Sequence, residues 1–240
     1  MENLQLAKIA NQVRKDIVTG VYNAKSGHPG GSLSAADMLT FLYFEEMNVS
    51  PEKAKDSNRD RFVLSKGHVA PALYSVLAEK GYFPREDIKT LRKPTSYLQG
   101  HPDMKKIPGI DMSSGSLGQG ISTAVGMAMA ETHLASKFNT DEYKVVDHYT
   151  YVLGGDGCMM EGISYEAFSL AGTLGLEKLI VLYDSNNISI EGDTNIAFRE
   201  NVRQRFESFG FHTQLVEDGN DLDAIGKAIE AARQKKADLP

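Results

Sequence analysis

The chain has 240 residues, 41% of them hydrophobic, with a formal net charge of −6 and one cysteine. That length and apolar content suffice for one sizeable core, and the acidic balance gives no electrostatic footprint for nucleic acid. The lone cysteine excludes an internal disulfide and fits a reducing, cytoplasmic compartment, no signal peptide opens the sequence, and no apolar run approaches the roughly 20 residues of a membrane span.

Residues 4–25 carry Leu6, Ile9, Ala10, Val13, Ile17 and Val21 at helical spacing. A second helix is expected over 33–47, with Ser32 or Ser34 as its cap and Met38, Leu39 and Leu42 on its apolar face. A strand over 61–64, a helix over 70–80 and a short helix over 85–92 follow. Residues 93–96 read as a loop. A long helix over 117–135 has Gly120, Ala124, Gly126, Ala128 and Ala130, small side chains that permit close packing. After a loop at 139–142, residues 149–153 and 178–183 are apolar runs rich in β-formers. Between them, 161–174 has helical spacing through Ile163, Ala167, Leu170, Ala171 and Leu174. A helix over 196–209, a strand over 211–216 and a helix over 222–234 close the chain. This alternation predicts an α/β fold, a mainly parallel sheet with helices on both faces.

Strand, helix and strand at this length make a parallel crossover. If the strands at 149–153 and 178–183 are neighbours, about 4.8 Å apart, Asp156 and Asn186 emerge together at their carboxyl ends. Ligands of open α/β sheets bind in that crevice. Gly155 and Gly157 let a bulky anion approach the backbone, and a helix N-terminus aimed there favours negative charge. A carboxylate and an amide oxygen suit Mg²⁺ or Ca²⁺ better than zinc. A backbone carbonyl, two phosphate oxygens and a water would complete the shell of a metal-bridged diphosphate. Taken singly, Asp156 reads equally as a helix cap and Asn186-Asn187 as a turn. Their pairing at the ends of two apolar runs is what favours the metal.

Three histidines follow glycine: Gly27-His28, Gly67-His68 and Gly100-His101. All fall at turns, where functional residues concentrate. Any one alone reads as a solvated or backbone-bonded side chain. Together they suit either a three-histidine metal site or groups that exchange protons near neutral pH. His133, His148 and His212 match no pattern and read as structural. The segment Gly115-Ser116-Leu117-Gly118-Gln119-Gly120 opens a helix, a weak signal whose alternative is tight helix packing.

The motifs SGHPGGSLS, LSKGHVAPALYSVL, QGHPD, SSGSLGQGIS, GDGCMMEGISYEAFSLAGTLGL and YDSNNISIEGDT resemble the thiamine diphosphate enzymes, and transketolase among them, in the family's order over residues 7–214. The resemblance implies thiamine diphosphate held through Mg²⁺ or Ca²⁺, and transfer of a two-carbon ketol unit between sugar phosphates. It implies that Asp156, Asn186 and the backbone carbonyl of Ile188 are metal ligands. His28 and His101 resemble residues that contact the sugar, and His68 one near the diphosphate. Gly115, Leu117, Gly157 and Ile190 resemble positions that line the cofactor, and Glu161 an acid that links two cofactor sites across a dimer. Packing is the commoner role for an apolar residue such as Ile190, and a favourable charge at a helix start for Glu161. Ser116 stands where many single-chain transketolases carry proline. Serine is familiar there from two-polypeptide transketolases and from deoxyxylulose-phosphate synthases.

By the same resemblance, residues 1–240 make a single diphosphate-binding domain that stops before a further strand and a glycine- and histidine-containing loop. The pyrimidine-binding and C-terminal domains then lie outside it, in the same polypeptide or in a partner subunit, within a homodimer or heterotetramer. Such a chain alone is expected to be inactive. A deoxyxylulose-phosphate synthase-like enzyme is disfavoured by the Gly-His-Pro wording at both His28 and His101. A non-catalytic fragment acting as a binding module is the non-enzyme alternative.

Overall fold

The computed structural model describes residues 1–189 and 192–235. Helix α1 (Asn3–Ala24) buries Leu6, Ala10, Val13 and Ile17, the stripe set by its spacing. The helix expected over 33–47 starts earlier and is broken. Proline opens α2 (Pro29–Ser34), where its missing N–H costs nothing; α3 (Ala36–Phe41) follows, and Leu42–Glu46 continues as a π-helical turn. Neither Ser32 nor Ser34 caps it. Ser32 is buried within α2, and Ser34 donates its hydroxyl to Asp184 Oδ1 at 2.7 Å.

Strand β1 (Arg61–Leu64) and helix α4 (Ala70–Lys80) lie where expected. The helix expected over 85–92 is only a 3₁₀ segment, Arg85–Thr90. Helix α5 (Gln119–Phe138) precedes β2 (Thr150–Gly155), a one-turn α6 (Asp156–Met160), α7 (Gly162–Thr173) and β3 (Leu179–Asp184). Asp156 therefore begins a helical turn of its own rather than leading straight into the longer helix. A small antiparallel pair, β4 (Ile188–Ser189) and β5 (Gly192–Asp193), comes next.

Helix α8 (Val202–Ser208) is shorter than the span predicted over 196–209. The Asn201 side chain accepts from the Gln204 N–H at 3.0 Å and fixes its start. Helix α9 (Leu222–Gln234) matches its prediction, capped by Asp221, which accepts from the backbone of Asp223 and Ala224. The strand expected over 211–216 does not form. That segment and β3, an edge strand of the sheet, line a cavity of about 1400 Å³, and this gap keeps the segment from pairing with the free edge of β3.

The sheet is parallel in the order β1-β2-β3, with Phe62 beside Tyr151, Thr150 beside Leu179 and Gly155 beside Asp184. Side chains alternate between its faces. Phe62, Leu64, Tyr151, Leu153, Ile180 and Leu182 join a core completed by α1, α3, α4 and α9. Val63, Val152 and Leu179 point the other way, into a core with α5, α7 and α8. Covering both faces is what a parallel sheet needs, and it turns the strand ends into one rim. Asp111 ties the loop ahead of α5 to that frame. It accepts from the guanidinium of Arg59 and, at 2.8 Å, from the N–H of Phe62. No described helix is long and apolar enough to cross a membrane.

Candidate functional site

Three segments converge at the carboxyl ends of β1, β2 and β3. The first is the turn from β2 into α6. Asp156 is 5% exposed. Its Oδ1 accepts the hydroxyl of Tyr183, while its Oδ2 is buried with no hydrogen-bond partner. Burial pushes the Tyr183 hydroxyl well above its ordinary pKa, and the bond to Asp156 adds to this, so it stays a donor. Asn186 lies just past β3, half-buried, and its Oδ1 accepts from the N–H of Ile188 at 3.1 Å. The Ile188 side chain is 62% exposed, so only its backbone is available to the site. A Cβ at Gly157 would meet Leu117 Cδ2 at 3.2 Å and Ser189 Oγ at 3.9 Å. These contacts bring the α6 turn, the loop ahead of α5 and β4 together. Ile190 lies outside the described residues.

The second segment carries the histidines. The rings of His28 and His68 meet edge to face, with centroids 5.1 Å apart. His101 Cδ2 lies 3.1 Å from the position a Cβ would take at Gly67. All three Gly-His turns therefore converge. Burial, then the charge of Lys66, then His28 and His101 lower the His68 pKa from 6.5 to about 4. Burial first, then Arg92 and His28, lower that of His101. Both rings are neutral at pH 7 and can donate or accept a proton. The alternative of a three-histidine metal centre gains no support: among the described residues no three His, Cys, Asp or Glu side chains converge in a metal-holding arrangement.

The third segment is residues 114–120. Gly115 is exposed, with open space where a Cβ would stand. The tight packing is at its neighbours. Gly118 has φ 81°, and its Cβ position lies 2.8 Å from Glu161 Cβ; that of Gly120 lies 2.6 Å from Ser65 Cα. Glu161 is exposed and sits in extended backbone immediately before α7, making no capping bond.

Sequence reasoning missed the charged pair beneath this rim. Lys66 Nζ, just past β1, lies 2.7 Å from Asp184 Oδ2 at the end of β3, with both side chains at most 7% exposed. Asp184 also accepts from Ser34, and Lys66 Nζ stands 3.1 Å from the Cβ position of Gly155. Opposite charges at the ends of two predicted strands were the available signal, but β1 and β3 are not sequence neighbours and their alignment runs through β2.

Residues 6–240 match the family model described as transketolase, thiamine diphosphate binding domain. A transketolase of Nostoc sp. is 52% identical over 226 residues, covering 93% of this chain and 34% of that protein. Transketolase from Leishmania mexicana superposes with a TM-score of 0.93 at 44% identity, covering 97% of this chain and 35% of the other. A Pichia stipitis transketolase in complex with sedoheptulose-7-phosphate gives a TM-score of 0.94 at 43% identity, covering 97% and 34%. The chain thus spans about a third of the length of the curated relatives it matches.

Proposed function

Since the chain belongs to the transketolase family through its thiamine diphosphate-binding domain, we propose that residues 1–240 are the diphosphate-binding domain of a transketolase. The full-length protein then transfers a two-carbon ketol unit from a ketose phosphate to an aldose phosphate. The observation that carries the cofactor site is the orphaned oxygen of Asp156. A buried carboxylate oxygen with no donor is costly, and a hard cation is the partner that relieves it. Asn186 Oδ1 keeps a lone pair beyond its bond to Ile188, so Asp156, Asn186 and the Ile188 carbonyl fit Mg²⁺ or Ca²⁺ shared with a diphosphate.

Bound thiamine diphosphate supplies the carbon nucleophile. Around it the residues of this chain bind, orient and handle protons. Gly157 leaves backbone open to the diphosphate, and His68, neutral at pH 7, hydrogen-bonds to it. Leu117 and Gly115 line the rings. Glu161 links this site to its twin across a dimer. His28 and His101 give and take the proton on the sugar oxygens through their imidazole nitrogens. The other wall of the cleft is the pyrimidine-binding domain, in the same polypeptide or a C-terminal subunit, within a homodimer or heterotetramer. Relatives about three times as long support that division, and the chain alone is then inactive. A single cysteine, Cys158, agrees with a cytoplasmic home.

Calorimetry on the full-length protein tests the metal assignment. Asp156→Ala should abolish the dependence of thiamine diphosphate binding on Mg²⁺; an unchanged requirement means the ligand is elsewhere. His101→Ala should impair turnover with near-normal cofactor affinity, and His68→Ala should weaken cofactor binding. The reverse pattern would exchange their roles.

A further inference from the structure

Arg92 lies between the turns that carry His28 and His101. Its backbone is left-handed, with φ 60°, a conformation unfavourable for a residue with a Cβ. Its N–H donates to the Leu98 carbonyl at 2.8 Å. The guanidinium lies against Gly100: a Cβ there would sit 3.0 Å from Cζ and Nη2 and 3.1 Å from Nε. From the same fork, Nη1 donates to Ser26 Oγ at 3.1 Å. Nε is buried without a hydrogen-bond partner. No carboxylate among the described residues forms an ion pair with this arginine. The other side of the same turn is held from α4, where the buried Tyr74 hydroxyl lies 2.9 Å from the carbonyl oxygens of both Gln99 and His101.

A half-buried arginine with no counter-ion in a left-handed conformation is an expensive strut. An apolar side chain would fill the space at less cost. What only the planar fork does is lie flat on Gly100 while reaching Ser26. We propose that Arg92 is a positioning residue for the histidine pair: its guanidinium ties the turn of Ser26 and His28 to the turn of Gly100 and His101, and so sets how the two imidazoles stand to each other.

Its charge has a second effect. The charged groups acting on His101 are Arg92 and His28 from the turn before α2; His101 acts in turn on His68 after β1, Asp103 acts on Tyr74 of α4, and the Tyr74 hydroxyl donates to the His101 carbonyl. Burial first, and then the charges of Arg92 and His28, disfavour the positive imidazolium. The inference deepens the proposed function and rests on it only for the turnover measurement below.

Three variants separate fork from charge. Arg92→Met removes both, Arg92→Lys keeps the charge alone, and Gly100→Ala keeps the arginine but places a methyl where the guanidinium lies. Amide exchange in this chain at residues 26–28 and 100–101 should quicken about tenfold or more in all three. The NMR titration midpoint of His101 should rise toward the ordinary imidazole range in Arg92→Met and stay low in Arg92→Lys. In the full-length protein, kcat with sugar phosphates should fall about tenfold or more in all three, with thiamine diphosphate affinity near wild type. Exchange at these turns or kcat at the wild-type value in Gly100→Ala and Arg92→Lys overturns the proposal, even if Arg92→Met fails to fold. A wild-type full-length protein without ketol transfer would sink the proposed function instead, and the exchange and titration measurements would still decide the role of Arg92.

Discussion

Tyr183 donates its hydroxyl to one oxygen of Asp156, and the other oxygen of that carboxylate is buried with no partner. The phenol thus aims the carboxylate without satisfying it. On the proposed metal assignment, a charge held this way serves binding at the expense of stability. Asp156→Asn keeps an acceptor for Tyr183 and removes the buried charge. The ligand-free variant should therefore be more stable by about 1 kcal/mol, raising Tm by roughly 2–4 °C, while Mg²⁺-dependent binding of thiamine diphosphate is lost. A thermal scan showing a lower Tm would mean that Asp156 is already paid for within the fold.

Lys66 and Asp184 form the opposite case, a buried pair that is satisfied. Removing one partner strands the other. Lys66→Met should cost about 3–5 kcal/mol, and Lys66→Met with Asp184→Leu should recover most of it. A urea double-mutant cycle reads the coupling directly. Additive losses would show that the pair interacts weakly despite its 2.7 Å separation.

Much of this was legible in the sequence. The runs at 61–64, 149–153 and 178–183 gave the sheet, because strands buried on both faces are short, continuous and apolar. The paired Asp156 and Asn186, and the three Gly-His turns, pointed to residues that the fold brings to one rim. Tertiary context decided the rest. Residues 211–216 look like a strand, but the cavity they line with β3 separates them from its free edge. Residues 196–201 have helical spacing but lie ahead of the Asn201 cap. Lys66, Ser34 and Arg92 acquire partners 118, 150 and 66 residues away, and no local pattern announces such pairs.

His68 makes stability depend on pH. Its folded pKa, about 4, lies below the unfolded value near 6.5. The unfolded chain therefore binds this proton more readily. The contribution is fully present above about pH 6.5 and is lost as pH falls toward 4. Because part of the ring reaches solvent, the loss is about 1–2 kcal/mol rather than the full value of the shift. His101 and His148, also lowered, act in the same direction. Urea midpoints at pH 7 and pH 4.5 should therefore differ less in His68→Phe than in wild type. An equal difference would place the acid sensitivity elsewhere.

Two glycines of α5 should respond oppositely to the same substitution. Gly120 lies in the first turn, where the helix meets the end of β1. A methyl there would stand 2.6 Å from Ser65 Cα. That contact is with backbone, so no side chain can rotate away, and either the strand end or the helix start must shift. Gly120→Ala should cost about 1–3 kcal/mol by overpacking. It should also weaken cofactor binding, since Ser65 precedes Lys66, Gly67 and His68. Gly126 is six residues further along, exposed, with nothing within 4 Å of its Cβ position. Gly126→Ala removes freedom from the unfolded chain and adds helix propensity, so it should stabilise by about 0.5–1 kcal/mol. Chemical denaturation of both variants, with the slope held constant, gives the two signs. A stable Gly120→Ala with unaltered binding would mean that the start of α5 shifts away from β1 at no cost to the site. A destabilised Gly126→Ala would mean that the open face of α5 is covered by another molecule in solution.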